Sequence, residues 1–453
     1  MRRDFSAKRV VVVGAGRTGL ALVDYFCRRG AVVALSDRRP PEALPQTRSL
    51  AAQGVALDLG GHCRELFAGA DLVAVSPGVP LTTPAIAAAV ERQVPVIGEV
   101  EVAFGELTAP LVAITGTNGK STTTTLMGEV FQAWGKRTFV GGNLGTPLIE
   151  AVQSAAWDWA VAELSSFQLE AVRAFRPRYA LLLNLTEDHL DRYPDMAAYV
   201  EAKVQIFKNM TPSDVAVLNA EDAGVLRAAR DIRARRMLFS SRRPLREGMG
   251  VEGDEIVWRF GGRERRFPAR ELRLEGEHNL ENVMAALIPP LMEGCPAERA
   301  WETACAFSGL DHRMNLVRVL DGVNWFNDSK GTNVGSVIKS VTGIRAPVTL
   351  IAGGKDKGGD YAPLAGPVRA KVAHLILIGQ AAERMQEVFG EITHTVRAGS
   401  LCEAVRLARE LTPAGGSVLL SPGCSSFDMF KNFEERGELF TREVMALSER
   451  KAV

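Results

Sequence analysis

The chain has 453 residues, 46% of them hydrophobic and 24% charged, and its 54 Lys and Arg residues nearly cancel its 53 Asp and Glu residues. The length suggests about three domains, and so small a net charge favours neither nucleic acid nor an anionic membrane as a partner. Six cysteines without a C-x-x-C pair argue against a zinc site and a disulfide framework. No apolar run approaches the roughly 20 residues of a membrane span, so we expect a cytoplasmic protein with no membrane partner. We also expect no nucleic-acid partner and a monomeric state.

Short apolar runs alternate with Gly-rich or polar turns and helix-period segments, which is the pattern of parallel sheets with crossover helices. The strands are predicted at residues 9 to 13, 31 to 35, 71 to 75, 111 to 115, 157 to 163, 179 to 185, 323 to 327, 348 to 352, 374 to 379 and 417 to 421. Breaks in this pattern predict domains at residues 1–99, 100–308 and 309–453. Short alternating runs at residues 240–275 predict antiparallel strands added to the middle domain.

The first motif is VVVVGAGRTG, a strand followed by G-x-G-x-x-G at a predicted helix start, and the next strand ends at Asp37. Such glycines let the backbone approach phosphates, and the acidic residue can accept a ribose hydroxyl. Another strand begins already at residue 111, so one Rossmann-like half fits here. One half suits a single nucleotide such as a UDP group better than NAD. A glycine turn needed only for helix packing is the alternative.

The second motif is ITGTNGKSTTTT at residues 114–125, after the apolar run LVAIT. The usual phosphate-loop pattern has a glycine where this chain has Ile114. The shorter loop still keeps the groups that phosphates and a magnesium ion need: Gly116, Gly119, Lys120, Ser121 and Thr122. A central phosphate-loop domain with a mostly parallel sheet is therefore predicted.

Polar residues follow the neighbouring predicted strands, where ligands of open α/β sheets bind. Glu163 ends one strand, and His189 lies just after another, so oxygen and imidazole ligands for a divalent metal converge there. Each of the two has a simpler interpretation, as a cap or a surface residue. The turn VGGNLG offers Asn143, and the helix start EHNLEN offers Asn279 and Asn282, which are alternatively an ordinary turn and a helix cap.

The last third follows the same rule, which predicts a second Rossmann-like domain. The stretches VNWFNDSKGTN, TLIAGGKDKGG and VLLSPGCSSFDMFKNF each carry a strand into polar residues. His312 and Arg313 lie at the predicted boundary, where a cation of one domain can reach a phosphate held by another. This placement suggests a reaction between domains.

The chain resembles the ATP-dependent Mur ligases of bacterial cell-wall precursor synthesis, and the resemblance covers essentially its whole length. It rests on four stretches in this order: TGTNGKST, HR, NDSKGTN and SPGCSSFD. AELSSFQLE, NLTEDHLDRY and SFDMFKNFEERG are most similar to the members that add D-glutamate. The resemblance implies that ATP phosphorylates the carboxylate of UDP-N-acetylmuramoyl-L-alanine. The amine of D-glutamate then attacks the acyl phosphate, and ADP and phosphate are released.

The resemblance also implies an ATP site formed by Gly116, Thr117, Asn118, Gly119, Lys120, Ser121, Thr122, Asn279, Asn282, Arg313, Asp328 and Lys330. It implies two magnesium ions, one held by Ser121 or Thr122 with Glu163, the other by His189 and a carbamylated Lys203. Lys120, His189 and Lys203 would be the catalytic residues. The residues around Lys203, taken without the resemblance, predict a solvated helix lysine.

For the UDP substrate, the resemblance implies contacts from Arg17, Thr18, Asp37, Arg38, Ser76, Gly78 and Asn143. For D-glutamate it implies Thr332, Lys357, Ser426, Phe427 and Phe433, with Lys355 as an alternative to Lys357. Two residues depart from the family pattern: Gly331, where alanine is common, and Asp311, where proline is frequent.

Other functions remain as alternatives at this point. A sister Mur ligase would add a different amino acid. A nicotinamide-dependent oxidoreductase would use the nucleotide motif of residues 10 to 37, and a nucleotide-binding switch would carry out no ligation, although two flanking α/β domains disfavour it. Because an acyl phosphate must be protected from water, we expect the C-terminal domain of a ligase to rotate as a unit.

Overall fold

The computed structural model describes residues 4–153, 156–190 and 192–449. The chain forms two compact units. The first contains the residues up to Leu185 together with Tyr199–Phe307, and the second contains Thr186–Ala198 together with the residues from Ser308 onward. The short segment Thr186–Ala198 therefore belongs to the same unit as the C-terminal third of the chain, although it lies in the middle of the sequence.

The N-terminal sheet belongs to the first unit and is entirely parallel. Its strands are β1 (Arg9–Val13), β2 (Val32–Asp37), β3 (Ala56–Leu59), β4 (Leu72–Val75) and β5 (Val96–Gly98). Its helices are α1 (Arg17–Arg28), α2 (Arg48–Ala52), α3 (Arg64–Ala68) and α4 (Pro84–Glu91), with short 3₁₀ turns at Pro41–Ala43 and Pro45–Thr47. The order β3-β2-β1-β4-β5 places the chain reversal beside β1. The glycine motif follows β1, at the position where such sheets bind ligands.

The central sheet has nine strands: β6 (Leu111–Thr115), β7 (Thr138–Gly142), β8 (Trp159–Glu163), β9 (Tyr179–Leu182), β10 (Val215–Asn219), β11 (Arg235–Phe239), β12 (Gly248–Glu252), β13 (Glu255–Phe260) and β14 (Arg263–Pro268). Their order is β14-β13-β12-β11-β10-β9-β6-β8-β7. All neighbours are parallel except the pairs formed by β13. The antiparallel addition predicted at residues 240–275 is therefore confirmed.

The helices from residue 99 to residue 307 are α5 (Glu99–Glu106), α6 (Lys120–Ala133), α7 (Ser166–Leu169), α8 (Met196–Val204), α9 (Ala223–Ala228), α10 (Glu277–Met292) and α11 (Ala297–Ala306). Short 3₁₀ turns lie at Leu148–Gln153, Gln205–Phe207 and Ala269–Glu271. Strand β6, which leads into the phosphate loop, is buried along its whole length. Buried parallel strands of this kind are continuous hydrophobic runs, which is why the sequence LVAIT was recognisable.

The C-terminal sheet lies in the second unit. Its strands are β15 (Asn315–Leu320), β16 (Val323–Asn327), β17 (Val348–Gly353), β18 (Val372–Ile378), β19 (His394–Arg397) and β20 (Ser417–Leu420), in the order β15-β16-β20-β17-β18-β19. Its helices are α12 (Val334–Gly343), α13 (Ala365–Lys371), α14 (Ala382–Phe389), α15 (Leu401–Leu411) and α16 (Phe433–Ala446), with a 3₁₀ turn at Ala362–Leu364. Among the strands of this sheet in the described residues, only β15 pairs antiparallel. The predicted three-domain α/β fold is thus confirmed.

Glu99, the first residue of α5, is a buried carboxyl group between the N-terminal and central sheets. Its side chain is 1% exposed, and its Oε1 accepts a hydrogen bond from the backbone N–H of Ile149 at 2.6 Å. Its Oε2 is buried without a hydrogen-bond partner among the described residues. Burial, with a smaller contribution from the charge of Glu150, raises the pKa of Glu99 to about 7.

The substitution Glu99→Gln is expected to remove a pH-dependent loss of stability. A carboxyl group whose pKa is raised on folding stabilises the fold below its unfolded pKa, here 4.5, and that stability is lost as the pH rises through about 7. Because one pKa unit corresponds to about 1.4 kcal/mol, the variant should gain about 3 kcal/mol over wild type between mildly acidic and mildly alkaline pH. Urea unfolding across this range measures the difference.

The exposed neighbour Glu150 provides the matched control for this measurement. Glu150→Gln should move the wild-type pH profile only slightly, because it removes only the smaller of the two contributions that raise the pKa of Glu99 and leaves the burial of that group unchanged. Parallel profiles for Glu99→Gln and wild type would contradict the assigned role of Glu99.

Candidate active site

The phosphate loop, residues 114–122, joins β6 to α6, and two of its glycines are required by close contacts. Gly116 has φ of 147° and Gly119 has φ of 85°, values that side chains rarely tolerate. A Cβ on Gly119 would lie 2.1 Å from Oδ1 of Asn282. The loop therefore keeps its backbone N–H groups accessible to a phosphate at the start of α6.

Asn184 fixes the shape of the phosphate loop from the end of β9. Its Oδ1 accepts from the backbone N–H of Asn118 at 2.8 Å, and its Nδ2 donates to the carbonyl of the same residue at 3.0 Å. Its own carbonyl accepts from the N–H of Thr117 at 3.0 Å. Asn184 therefore holds the loop on both sides of one residue. It lies within the strand predicted at residues 179 to 185, and no role was predicted for it.

Lys120 folds back over its own loop. Its Nζ donates to the carbonyl oxygens of Gly116 at 2.9 Å and Thr117 at 2.8 Å. These contacts keep the ammonium group beside the loop, where it supplies the positive charge that a bound phosphate requires. The predicted role of Lys120 in holding the phosphates of ATP stays a prediction.

Glu163, at the end of β8, is the centre of a small polar cluster beside the phosphate loop. It is 3% exposed. Its Oε2 accepts from the hydroxyl of Ser121 at 2.6 Å, and its Oε1 accepts from Nδ2 of Asn143 at 2.7 Å. The hydroxyl of Thr122 is buried with no hydrogen-bond partner among the described residues. A carboxylate and two hydroxyls are hard oxygen ligands, which is the donor set that suits magnesium.

Metal sites of another kind are not found in the described part of the chain. Groups of three or more His, Cys, Asp and Glu that could hold a metal are absent from residues 4–153, 156–190 and 192–449. The six cysteines, all within these ranges, are free. The donor set around Glu163 fits a magnesium ion that shares its ligands with phosphate oxygens and water.

Lys203, in α8, is buried rather than solvated, so the expectation from its local sequence was wrong. It is 2% exposed, and its Nζ donates to the carbonyl of Gly116 at 2.9 Å. The same Nζ lies 4.6 Å from the ring centroid of Tyr199, whose hydroxyl donates to Oγ1 of Thr117 at 3.2 Å. Lys203 thus lies directly against the phosphate loop. Periodicity could not show this, because α8 is brought to the loop by the tertiary fold.

Asn279 and Asn282, in the first turns of α10, do not cap their helix. The N-cap position is Gly276, and it makes no side-chain cap. Asn279 donates from Nδ2 to the carbonyl of Glu275 at 2.9 Å, while Asn282 is buried against Gly119. The structure therefore brings Asn282 to the phosphate loop.

The glycine motif of the first sheet is held tightly. A Cβ on Gly19 would lie 1.7 Å from the carbonyl oxygen of Gly14, and the hydroxyl of Ser76 donates to that oxygen at 3.2 Å. Arg17 is exposed and donates to the carbonyl of Gly145, near Asn143 in sequence, at 2.7 Å. Of the other predicted UDP-contacting residues, Thr18 is half-buried and Arg38 and Gly78 are exposed.

Asp37 is buried at the end of β2 and has a partner that sequence reasoning missed. Its Oδ2 accepts from the N–H of Ala15 at 2.7 Å and from the guanidinium of Arg39 at 2.7 Å. Partial burial opposes ionisation, but the hydrogen bonds from Arg39 and the backbone outweigh it and lower the pKa of Asp37 to about 2. Asp37 is therefore a carboxylate at neutral pH.

The second unit contains a cavity of about 250 Å³ whose lining includes three of the predicted site residues, His189, Thr332 and Lys357. His189 has a left-handed backbone, with φ of 58°, which is uncommon for a residue other than glycine. Lys357 donates to Oδ1 of Asp188 at 3.0 Å. Lys355 is exposed, and its backbone pairs with Ser425. Of the two lysines left open by the sequence, Lys357 is the one that lines the cavity.

The remaining predicted residues of the second unit have varied surroundings. Asp328 is buried and accepts hydrogen bonds from Ser340 and Ser421, each at 2.7 Å, and burial raises its pKa. Lys330 Nζ lies 5.0 Å from the ring centroid of Phe433. Arg313 is half-buried, Ser426 is buried and Phe427 is 69% exposed. The side chains described as lining the cavity do not include Ser426, Phe427 or Phe433.

The class of protein follows from these observations. A phosphate loop follows the buried strand β6, and an acidic residue ends β8, the strand beside it in the sheet. Further α/β sheets precede and follow this region in the sequence. Together these features define a multidomain nucleotide-binding enzyme. No helix in the described ranges is long and apolar enough to cross a membrane.

Comparisons with known proteins identify the family. Family models match the chain as a Mur ligase MurD-like N-terminal domain at residues 8–98, a Mur ligase middle domain at 114–289 and a Mur ligase glutamate ligase domain at 312–424. The chain belongs to the Mur ligase family. Mur ligases use ATP and Mg²⁺, which agrees with the geometry of the phosphate loop and Glu163.

Two relatives are similar along nearly their whole length. The UDP-N-acetylmuramoylalanine--D-glutamate ligase of Syntrophotalea carbinolica is 64% identical over 98% of this chain and 99% of its own. That of Geotalea uraniireducens is 52% identical over 98% of both chains. Family membership removes the oxidoreductase and switch-protein alternatives.

Solved structures share the fold. The UDP-N-acetylmuramate-alanine ligase of Thermotoga maritima aligns over 97% of this chain and 99% of its own, with a TM-score of 0.61 and 18% identity. A MurF structure from Acinetobacter baumannii aligns over 98% and 93%, with a TM-score of 0.60 and 17% identity. Identity this low supports the shared fold and not a shared substrate.

Proposed function

We propose that this chain is an ATP-dependent ligase that joins D-glutamate to UDP-N-acetylmuramoyl-L-alanine in bacterial peptidoglycan precursor synthesis, releasing ADP and phosphate. The observation that carries the proposal is the 64% identity, over 98% of the chain, to a relative named for that reaction. The phosphate loop and the cavity beside Lys357 supply a nucleotide site and a cation for a carboxylate.

The reaction needs ATP because a carboxylate is a poor electrophile at neutral pH. Transfer of the γ-phosphoryl group to the carboxylate of the muramoyl-L-alanine forms an acyl phosphate. The free amine of D-glutamate then attacks the carbonyl carbon, its proton is lost, and the tetrahedral intermediate collapses as the C–O bond to phosphate breaks. One amide bond forms, and one ATP becomes ADP and phosphate.

The residues around the phosphate loop supply positioning and charge for the first step. The loop N–H groups at the start of α6 and the ammonium of Lys120 hold the β- and γ-phosphates. Ser121, Thr122 and Glu163 would hold a magnesium ion, which would neutralise charge on the transferring phosphoryl group. Asn282 would meet the nucleotide beside Gly119, and Asn143 would contact the muramoyl substrate while orienting Glu163.

The proposed second magnesium ligands are His189 and a carbamylated Lys203. Carbamylation converts a buried ammonium into a carboxylate, which is a better ligand for a hard cation. The proposal also includes the contacts to ATP from Asn279, Arg313, Asp328 and Lys330, and the contacts to the UDP group from the residues predicted above. It includes the domain limits 1–99, 100–308 and 309–453. A monomeric state, a cytoplasmic location and rotation of the C-terminal domain also belong to it.

One assay tests the proposed function. The purified protein is incubated with ATP, magnesium and UDP-N-acetylmuramoyl-L-alanine, and D-glutamate, L-glutamate, L-alanine or a diamino acid is added in separate reactions. Phosphate release with D-glutamate alone is the expected result. Release with another amino acid only would assign the chain to a sister reaction, and no release with any of them would contradict a ligase function.

Lys357→Ala and Lys355→Ala form a matched pair that tests the amino-acid site. Lys357 lines the cavity and carries a charge that can pair with a substrate carboxylate, so its loss should raise the KM for D-glutamate by about a hundredfold, the effect of removing one charge-assisted contact. Lys355 is exposed, and its loss should change KM less than about twofold. Steady-state kinetics with varied D-glutamate separate the two, and the reverse ranking would transfer the role to Lys355.

A further inference from the structure

Arg436, in the second turn of α16, is a guanidinium buried without a carboxylate partner. It is 0% exposed, and no ion pair joins it to an Asp or Glu in the part of the chain that the structure describes. Burying an arginine in this way is costly unless its donors are used. Burial lowers its pKa to about 10, so the group remains charged at neutral pH.

The donors of Arg436 are used by two different loops. Its Nε donates to the hydroxyl of Ser329 at 3.0 Å, and an Nη donates to the carbonyl of the same residue at 2.8 Å. Its two Nη groups also approach the carbonyl of Cys424, at 3.3 and 3.4 Å. One planar group therefore holds the backbone of residues 328–333, which follow β16, and of residues 421–428, which follow β20.

A third loop closes against the same guanidinium. A Cβ added to Gly354 would lie 3.3 Å from an Nη of Arg436 and 2.4 Å from the carbonyl oxygen of Ser425. Gly354 follows β17, which pairs with β20 on the side opposite to β16. The guanidinium thus lies against the loops that follow three adjacent parallel strands, and ligands of such sheets bind beyond those carboxyl ends.

We infer that Arg436 is a positioning residue that fixes the backbone of residues 328–333 relative to that of residues 421–428. This inference rests on the proposed function in one respect: the first loop carries Lys330 and Thr332, and the second carries Ser426 and Phe427, so three of the five proposed D-glutamate contacts and one nucleotide contact depend on the alignment. Stability alone does not require an arginine here, because an apolar residue of similar volume would avoid the desolvation. The fork of five donors is what two separate loops require.

Kinetics of Arg436→Lys and Arg436→Met test this role, with Arg442→Met as the control because Arg442 is exposed on the same helix. Both Arg436 variants should raise the KM for D-glutamate by at least about tenfold and leave the KM for UDP-N-acetylmuramoyl-L-alanine within about twofold, since the UDP-contacting residues proposed lie in the first unit. An equal rise in both KM values, or none, would overturn the inference.

Hydrogen exchange tests the same inference independently of any activity. Amides in residues 328–333 and 421–428 should exchange faster in both Arg436 variants, while those of the outer strand β19 should not change. The milder Ser329→Ala removes one acceptor of Arg436 and should accelerate the same two loops to a smaller extent, which keeps the test open if Arg436→Met fails to fold. Acceleration in one loop alone, or throughout the unit, would overturn the inference. Wild-type protein that shows no D-glutamate-dependent phosphate release would instead contradict the proposed function.

Discussion

Lys203→Ala is expected to abolish ligation, with kcat falling by at least about a thousandfold, the scale of losing a group that stabilises transferring charge. The side chain is buried against the phosphate loop, where its Nζ meets the carbonyl of Gly116. Alanine leaves a space there and removes the group proposed to hold the second magnesium. The measurement is D-glutamate-dependent phosphate release at saturating substrates. Near-normal turnover would contradict the proposed site.

The control for this experiment is Lys208→Ala. Lys208 is exposed shortly after the same helix, so its removal should change kcat less than about twofold. Comparing the thermal midpoints of both variants with that of wild type separates lost chemistry from lost folding. A folded Lys203→Ala protein without turnover is the expected combination.

Small molecules that restore the activity of Lys203→Ala can distinguish a carbamylated Lys203 from a positively charged one. If the wild-type residue acts as a carbamate, a small carboxylate such as acetate should restore part of the activity, because it can occupy the vacated space and offer oxygen ligands. If it acts as an ammonium, a small alkylamine should do so. Native mass measured in bicarbonate buffer should show one added CO2, bound as an N-carboxyl group, on the wild type and none on the variant.

The strands that carry the site were the most predictable part of the fold. β6, β8 and β17 are buried along their length and read as continuous apolar runs. Missed strands include β3 and β19 at sheet edges, whose half-exposed residues give little hydrophobic signal. β7 ends in two glycines, which resemble a turn. Sequence patterns therefore found the strands that position the phosphate loop and missed edge strands with little hydrophobic signal. They also missed β10, although it is an apolar strand buried along its whole length.

The site residues were predictable where the chemistry is local. The glycines, lysine and hydroxyl residues of the phosphate loop lie within a few positions of one another, so the sequence alone predicted that the loop binds phosphate. Asn184 and Arg436 were missed because each acts through tertiary contacts: Asn184 meets Asn118 across 66 positions, and Arg436 meets Ser329 across 107. Arg39 was missed although its partner Asp37 is only two residues away. A buried polar residue with such distant partners has no spacing signature.

Glu163→Gln is expected to lower kcat by about a hundredfold and to shift the magnesium dependence to higher concentration, as loss of a charged metal ligand does. The carboxylate accepts hydrogen bonds from Ser121 and Asn143 through different oxygens, so both neighbours orient it toward one position. Glutamine keeps the size of the side chain but has no negative charge, and only one of its terminal atoms can accept. Phosphate release measured against free magnesium reports the half-saturating concentration.

Asn143→Ala separates charge from orientation in this cluster. It removes one donor to Glu163 and leaves the carboxylate, so the half-saturating magnesium concentration should rise much less than in Glu163→Gln. An unchanged magnesium dependence in Glu163→Gln would mean that the carboxylate only holds Ser121 in place. If Glu163→Gln alone loses both rate and magnesium affinity, the negative charge of Glu163 binds the metal. The hydrogen bond from Asn143 then serves to orient the Glu163 carboxylate.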